Sequence, residues 1–297
     1  MSFVLTLVSS KKPLNAGHLA LIGDNLAVMA VGTAGPPAWL EPHKAADLPL
    51  VQKPNHEQIR TLRILLEADR IDLFINAAEG RRKKLLLADM DSTIVTTETL
   101  DELAGQAGPE IKQKIAALTE RAMRGEIDFE ATLRARVAMI AGLPESALEK
   151  TRAATEFSPG AKTLIKTMRA HGATCVLVSG GFTFFTGWVA EECGFQHHRA
   201  NRFEIKDGKL TGKVIDPILD KQAKLACLKE YAGILDIDLS ETFAIGDGSN
   251  DLPMLEAAGL GIGYRPKPLL REALDNCILY GDLTAALYAQ GLTGAHF

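Results

Sequence analysis

The sequence predicts an α/β protein with a parallel-sheet core, a helical insertion over one end of it, and a small α+β unit ahead of both. Three observations carry that prediction. First, three apolar runs each end in a polar cluster. Leu85-Leu86-Leu87-Ala88 leads into Asp89-Met90-Asp91-Ser92-Thr93, Ala173-Thr174-Cys175-Val176-Leu177-Val178 into Ser179-Gly180-Gly181, and Thr242-Phe243-Ala244-Ile245 into Gly246-Asp247-Gly248-Ser249-Asn250-Asp251. Apolar runs without alternation suit strands covered on both faces. Second, helical patterns separate the runs. Third, residues 96–157 are dominated by helix formers, and that stretch far exceeds a βα connection of about 2–6 residues.

Taken in order, residues 1–80 read as the α+β unit. Phe3-Val4-Leu5-Thr6-Leu7-Val8 is short, apolar and strand-like. Asn55 is placed to cap a helix over 56–68, with Ile59, Leu62, Leu65 and Leu66 along one stripe. A second strand follows over 71–75, whereas 32–50, rich in Gly, Pro and Ala, carries no assignable pattern. Arg81-Arg82-Lys83-Lys84 marks the boundary and reads as a solvated linker rather than a phosphate patch. The second unit then spans 81–297, with its core over 81–95 and 158–297. In the insertion, Leu118, Ala122, Leu133, Val137, Met139, Ile140 and Leu143 show helical spacing, as in a lid over the strand ends. Ser158 as N-cap, Pro159 in the first turn and Gly172 at the end bound one complete helix. Lys221 opens another, to about residue 231, and Gly259-Leu260-Gly261-Ile262-Gly263 ends a helix and enters a strand.

Composition narrows the function. The 297 residues are 46% hydrophobic and 24% charged, as in globular proteins. Lys and Arg number 33 against 37 Asp and Glu, and the net charge of −4 offers no basic field for nucleic acid. No window holds the roughly 18 apolar residues of a membrane span. The first apolar run has no basic residue before it and Lys11-Lys12 after it, the reverse of a secretory signal. Cys175, Cys193, Cys227 and Cys277 are scattered without a CxxC pair, so the expectation is buried thiols in a reducing cytoplasm.

In open α/β sheets ligands gather at the carboxyl ends of strands, which brings the three polar clusters to one pocket. Asp89 and Asp91, at i and i+2 on a strand end, face the same way. One can attack as a nucleophile while the other handles protons. An isolated DxD is more often a pair of solvated turn aspartates, but the strand before it and the second acidic cluster reverse that balance. Asp247 and Asp251, with Asn250 between, add oxygen donors without a His or Cys partner, which suits a hard cation such as Mg²⁺. The same segment alone also fits a tight turn before a helix. Ser179-Gly180-Gly181 offers a hydroxyl and backbone N–H groups to an anion, yet by itself it is more often a turn. Lys221 divides evenly between an anion contact and a surface pair with Asp220. His197-His198 reads as a surface loop, and Arg265-Pro266-Lys267-Pro268 has no catalytic duty.

Taken together, the order DMDST, SGG, lysine, GDGSND resembles the motifs of the haloacid-dehalogenase-like (HAD) phosphatase superfamily. Ser92-Thr93 and Glu98 are similar to its phosphoserine phosphatase branch, as are Met123, Phe129 and Arg136 in the insertion. The resemblance covers roughly 85–268. It implies a HAD-type Rossmann-like core with an inserted helical cap, and Mg²⁺-dependent hydrolysis of O-phospho-L-serine, the last step of serine biosynthesis. Asp89 would form an aspartyl phosphate, and Asp91 would protonate the departing serine oxygen and then activate water. Asp89, Asp247 and the backbone carbonyl of Asp91 would hold the metal. Asp251 and Asn250 would order its surroundings, Asn250 on the substrate side. Ser179, Gly180 and Lys221 would bind phosphoryl oxygens. Glu98 and Arg136 would take the ammonium and carboxylate of the amino acid, and Phe129 and Met123 would cover the site; taken singly, these four also fit surface helix charges and lid core. Some relatives carry ACT-like domains where residues 1–80 lie, which bind amino acids or form homodimers. The alternatives are another small phosphomonoester, such as phosphohomoserine, or an amino-acid-binding regulatory protein with a vestigial catalytic domain.

Overall fold

Asparagine caps and period-two strands build the first unit. The structure, a computed structural model, describes residues 2–123 and 126–297, leaving out the side chains of Met123 and Lys221. The chain begins with β1 (Phe3–Ser9), α1 (Ala16–Val28), β2 (Ala38–Glu41), β3 (Ala45–Leu50), α2 (His56–Leu66) and β4 (Ile71–Ala77). The strands form an antiparallel sheet in the order β2-β3-β1-β4, a split βαβ arrangement. Asn15 and Asn55 accept backbone N–H groups at the starts of α1 and α2. Leu5 and Leu7 of β1 point into the helix-covered core with Leu48, Leu73 and Ile75, and the intervening Thr6 and Val8 point to the other face.

The sequence reading did not assign α1, β2 or β3, and each has a local reason. In α1 the stripe Leu19, Ile22 and Leu26 is buried, but Leu21 and Val28 are exposed and blur it. Pro49 disguises β3, because proline is rare inside paired strands.

The second unit starts with β5 (Leu85–Ala88) and a π-type turn over Met90–Ile94. The insertion contributes α3 (Thr99–Gly105), α4 (Pro109–Met123), α5 (Phe129–Ala138) and α6 (Ser146–Ala154). Then come α7 (Ala161–Ala170), β6 (Thr174–Phe182), α8 (Thr183–Cys193), β7 (His197–Lys206), β8 (Lys209–Ile215) and α9 (Lys221–Ile234). The chain finishes with β9 (Thr242–Gly246), α10 (Leu252–Ala257), β10 (Leu260–Tyr264), α11 (Pro268–Ala273), β11 (Cys277–Ile278) and α12 (Ala285–Ala289). The sheet runs β11-β10-β9-β5-β6-β7-β8, parallel except where β8 folds back on β7. From β5 the chain goes first to β6 on one side and later to β9 on the other. The crevice at such a reversal is where α/β sheets bind ligands, and Asp89 stands at its mouth. No helix among the described residues is long and apolar enough to cross a membrane.

Three expectations need correction. Ser158 does not cap α7; Gly160 does, with φ +81°, and a Cβ there would lie 2.9 Å from the backbone nitrogen of Thr284. His197-His198 opens β7 rather than forming a loop, and His198 Nδ1 lies 3.0 Å from Thr186 Oγ1. The basic tetrad is solvated only at Arg82 and Lys84. Arg81 pairs with Asp47 at 2.5 Å, donates to Thr6 at 2.6 Å and reaches the Ala289 carbonyl at 3.1 Å. Lys83 is buried and donates to the Ser240 carbonyl at 2.8 Å. These residues staple the first sheet to the second unit, helped by Asp72, which accepts backbone N–H groups of Leu279, Tyr280 and Gly281.

Arg81→Ala is therefore expected to strand the buried Asp47 carboxylate and to cost about 3 kcal/mol in urea denaturation. The neighbouring Arg82→Ala, at an exposed position, should stay within about 0.5 kcal/mol. Equal effects of the two would remove the staple.

Candidate active site

The end of β5 sets the site's geometry. Asp89 N–H donates to the Ile245 carbonyl at 3.0 Å, continuing the ladder to β9 by one residue. The chain then turns sharply: Val95 N–H reaches back to the Met90 carbonyl at 3.0 Å, and Ser92 adopts φ +55°. That turn swings Asp91 toward the insertion, where one carboxylate oxygen accepts Thr99 N–H at 2.7 Å at the start of α3. Its other oxygen accepts the Ser179 hydroxyl at 3.1 Å. Ser92 Oγ in turn donates to Glu98 at 2.7 Å.

The end of β9 supplies the facing wall. Gly246 cannot be replaced, because a Cβ there would fall 2.4 Å from the Asp251 carboxyl carbon. Asp251 is fully buried and accepts Gly248 N–H at 3.1 Å and Lys224 Nζ at 2.6 Å. The same ammonium lies 2.9 Å from Asp89 Oδ1. Lys267 Nζ lies 3.1 Å from Asp247 and 3.6 Å from Glu98. Two lysines thus bind together four carboxylates from three segments.

Electrostatics follow from burial. Burial, and then the neighbouring Asp251, push the Asp89 carboxyl well above its usual range. Burial also raises Asp91, and takes Asp247 up to about 6. Burial works against the Lys224 charge, but Asp251 and Asp89 outweigh it and keep the ammonium protonated. Glu98 is raised to about 8, mainly by burial and then by Asp91 and Asp247. A carboxyl raised on folding contributes stability that is present below its unfolded pKa near 4.5 and lost as pH climbs through about 8. In substrate-free, metal-free protein, Glu98→Gln should therefore raise Tm increasingly between pH 5 and pH 8. A gain that shrinks over that window would contradict the assignment.

The insertion closes the site. A Cβ on Gly180 would lie 2.9 Å from the Phe129 ring, so that ring rests directly on the glycine backbone. Arg136 is buried, donates to Asp101 at 3.1 Å and keeps a buried Nε with no partner among the described residues. Asp101 also accepts the Thr119 hydroxyl at 2.7 Å. The resulting cleft is lined by Asp89, Asp91, Glu98, Phe129, Arg136, Ser179, Gly180 and Asn250. Asn250 Oδ1 is likewise buried with no partner among the described residues.

The residues singled out from the sequence therefore converge, with two exceptions. The side chains of Met123 and Lys221 lie outside the described residues. Among the described side chains, the lysine that reaches Asp89 is Lys224, one turn beyond Lys221. Its signal was present: Lys224 shares helical phase with buried Cys227, Leu228 and Tyr231, an odd place for an unpartnered ammonium. Lys267 was also missed. Its backbone N–H donates to the Asp247 carbonyl at 2.9 Å, and the flanking prolines restrict the segment that presents it.

The donor set fits a metal ion. Carboxylate oxygens of Asp89, Asp247 and Asp251 all lie within 4.8 Å of one another, and all three residues are buried. A buried cluster of carboxylate oxygen donors suits a hard divalent cation.

Residues 86–256 match the family model of the haloacid dehalogenase-like hydrolases. The chain belongs to that family. It is 46% identical over 201 residues to a phosphoserine phosphatase of Streptococcus thermophilus, covering 68% of this chain and 93% of the relative. It is 43% identical over 225 residues to a phosphoserine phosphatase of Streptomyces coelicolor, covering 75% of this chain. The chain spans about half the length of that relative and of the phosphoserine phosphatase of Mycobacterium tuberculosis. Among solved structures, a HAD family hydrolase from Salmonella enterica serovar Typhi aligns with TM-score 0.83 at 28% identity, over 97% of this chain and 98% of its own. A phosphoserine phosphatase solved as a phospho-aspartyl intermediate analogue aligns with TM-score 0.66 at 40% identity, over 70% of this chain and 98% of its own. The family's α/β core with a parallel sheet is the fold expected from the strand-end motifs.

Proposed function

We propose that the protein is a Mg²⁺-dependent phosphoserine phosphatase that releases L-serine and phosphate through an aspartyl phosphate on Asp89. One observation carries this reading. A single cleft is lined by Asp89 and by Glu98 and Arg136, an acceptor and a donor. A zwitterionic amino acid needs that combination, and a simple phosphoester does not. The relatives named phosphoserine phosphatase at 43–46% identity support it.

Asp89 Oδ1 is held by Met90 N–H at 2.8 Å and by Lys224, which leaves Oδ2 to attack phosphorus. Lys224 opposes the effect of burial and favours the ionised form of the nucleophile. Asp91, whose carboxyl burial raises, holds a proton for the departing serine oxygen. As serine leaves with that proton, Asp91 becomes the base that takes one from the attacking water, so protons balance over the two half-reactions. Ser179, the Gly180 backbone and Lys224 face the phosphoryl oxygens. Asp89, Asp247 and the Asp91 backbone carbonyl would hold the cation, with Asp251 fixed behind them by Lys224. When bound, the cation neutralises phosphate charge and relieves repulsion among the carboxylates. Phe129 excludes water from above.

The reading extends to the rest of the chain. Residues 1–80 form an ACT-like unit and 81–297 the phosphatase, with its cap over 96–157, in a cytoplasmic enzyme. The unpaired outer edge of β2, with Trp39 exposed on it, supports pairing of two copies through the first unit. Sedimentation at micromolar concentration would show one species of twice the chain mass, or a monomer if this is wrong.

A panel of phosphomonoesters ranked by kcat/KM tests the substrate. Phosphoserine should lead phosphohomoserine and a neutral phosphoester, and Arg136→Ala should cost phosphoserine about 100-fold more than the neutral ester. Equal losses on both would remove Arg136 from carboxylate recognition.

A further inference from the structure

The phosphate-side backbone of β6 depends on a residue of the neighbouring strand that touches neither cleft nor metal cluster. β6 and β7 pair in register as far as Val178 with Arg199, and pairing resumes at Phe182 with Asn201. Ser179, Gly180 and Gly181 thus bulge out opposite a single residue, Ala200. A bulge leaves backbone groups outside the ladder, and buried carbonyls need partners. The Gly180 carbonyl finds one in a side chain: Asn201 Nδ2 donates to it at 2.7 Å.

Asn201 Oδ1 is engaged as well. It accepts Leu219 N–H at 2.7 Å, which fixes the orientation of the amide because one partner only accepts and the other only donates. Leu219 adjoins Asp220, the N-cap of α9, whose side chain accepts Ala223 N–H at 2.9 Å. One turn into that helix stands Lys224. Asn201 itself is 1% exposed.

The other end of the Gly180–Gly181 peptide is held too. Gly181 N–H donates to Ser179 Oγ at 2.8 Å, and that hydroxyl donates to Asp91. Rotation of this one peptide would move the serine hydroxyl and the glycine N–H groups together. Asn201 is the clamp that stops the rotation while tying the bulge to the start of the lysine helix.

We propose that Asn201 is a positioning residue: by holding the Gly180 carbonyl and Leu219 N–H at once, it sets the phosphate-binding bulge of β6 against Lys224. The inference rests on the phosphatase reading above, since it assigns the bulge to phosphate.

The test compares Asn201→Ala and Asn201→Asp with the parent enzyme in Mg²⁺, each well below its own Tm. Readouts are kcat and KM for phosphoserine and the calorimetric affinity for inorganic phosphate. Asn201→Ala should lower kcat by about 10- to 100-fold, because donors aimed at developing charge act only when preorganised, and should weaken phosphate binding about 10-fold. Asn201→Asp should behave like the alanine variant at pH 8. Its kcat relative to the parent should recover several-fold toward pH 5.5. A protonated carboxyl can again donate to Gly180 and accept from Leu219, whereas a carboxylate cannot donate. Variants with lower Tm but unchanged kcat and phosphate affinity would overturn the proposal, as would an aspartate variant whose ratio to the parent is flat with pH. If the alanine variant does not fold, the aspartate pH series decides. If the parent leaves phosphoserine intact but binds phosphate, the substrate reading fails and phosphate affinity alone judges Asn201. A parent that binds no phosphate contradicts both.

Discussion

Asp89→Asn is expected to lower phosphoserine turnover by about four orders of magnitude or more, as loss of a covalent nucleophile does. The amide keeps the side chain's shape but cannot form the acyl phosphate. The fold should survive. Asp89 is a buried carboxyl pushed above its usual range by burial and by Asp251, so its charged form is a cost to the empty site at neutral pH. The neutral amide removes that cost along with the attraction to Lys224, and the two changes oppose each other. Phosphate release together with a thermal melt should therefore show a silent enzyme with Tm within a few degrees of the parent. A variant with residual turnover above one per cent would remove Asp89 from the chemistry.

Lys224→Met carries the second large effect, and here stability and activity fall together. The ammonium sits between Asp251 at 2.6 Å and Asp89 at 2.9 Å with 1% of its side chain exposed. Removing one member of a buried charge cluster costs about 3–5 kcal/mol, because the partners are left uncompensated. Without Lys224 the Asp89 carboxyl rises further above its unfolded value. Its contribution is then present below about pH 4 and lost as pH rises. In EDTA the variant should thus approach parental stability near pH 5 and fall well below it at pH 8. Added Mg²⁺ should restore part of the difference, because a cation replaces the missing charge. Turnover should drop about 10²- to 10³-fold. Lys221→Met is the natural comparison: if it silences the enzyme and Lys224→Met does not, the lysine assignment made from the structure is wrong.

The contrast between these lysines shows where the sequence stops being informative. The strands β5, β6 and β9 were legible because parallel core strands must be apolar on both faces, and their ends must then turn polar. That rule places Asp89, Asp91, Ser179 and Asp247 in one crevice from the sequence alone. A helix gives no such fixed phase at its start. Lys221 and Lys224 are three residues apart, and only the buried stripe through Cys227, Leu228 and Tyr231 separates them. Glu98, Phe129 and Arg136 became readable through likeness to a family, since each alone is an ordinary lid residue. Arg81 illustrates the opposite failure. A basic tetrad reads as solvated, yet its partners Asp47, Thr6 and Ala289 lie far away in the chain, and long-range pairing leaves no local trace.

The central claim is a covalent bond between phosphorus and Asp89, and trapping it is the most direct test. Enzyme mixed with phosphoserine and Mg²⁺, quenched in acid within milliseconds and digested, should yield the peptide bearing Asp89 heavier by one phosphoryl group. Fragmentation should put the added mass on Asp89 and not on Asp91, and Asp89→Asn should abolish it. Rapid phosphate release under those conditions with no such adduct at any quench time would contradict the account.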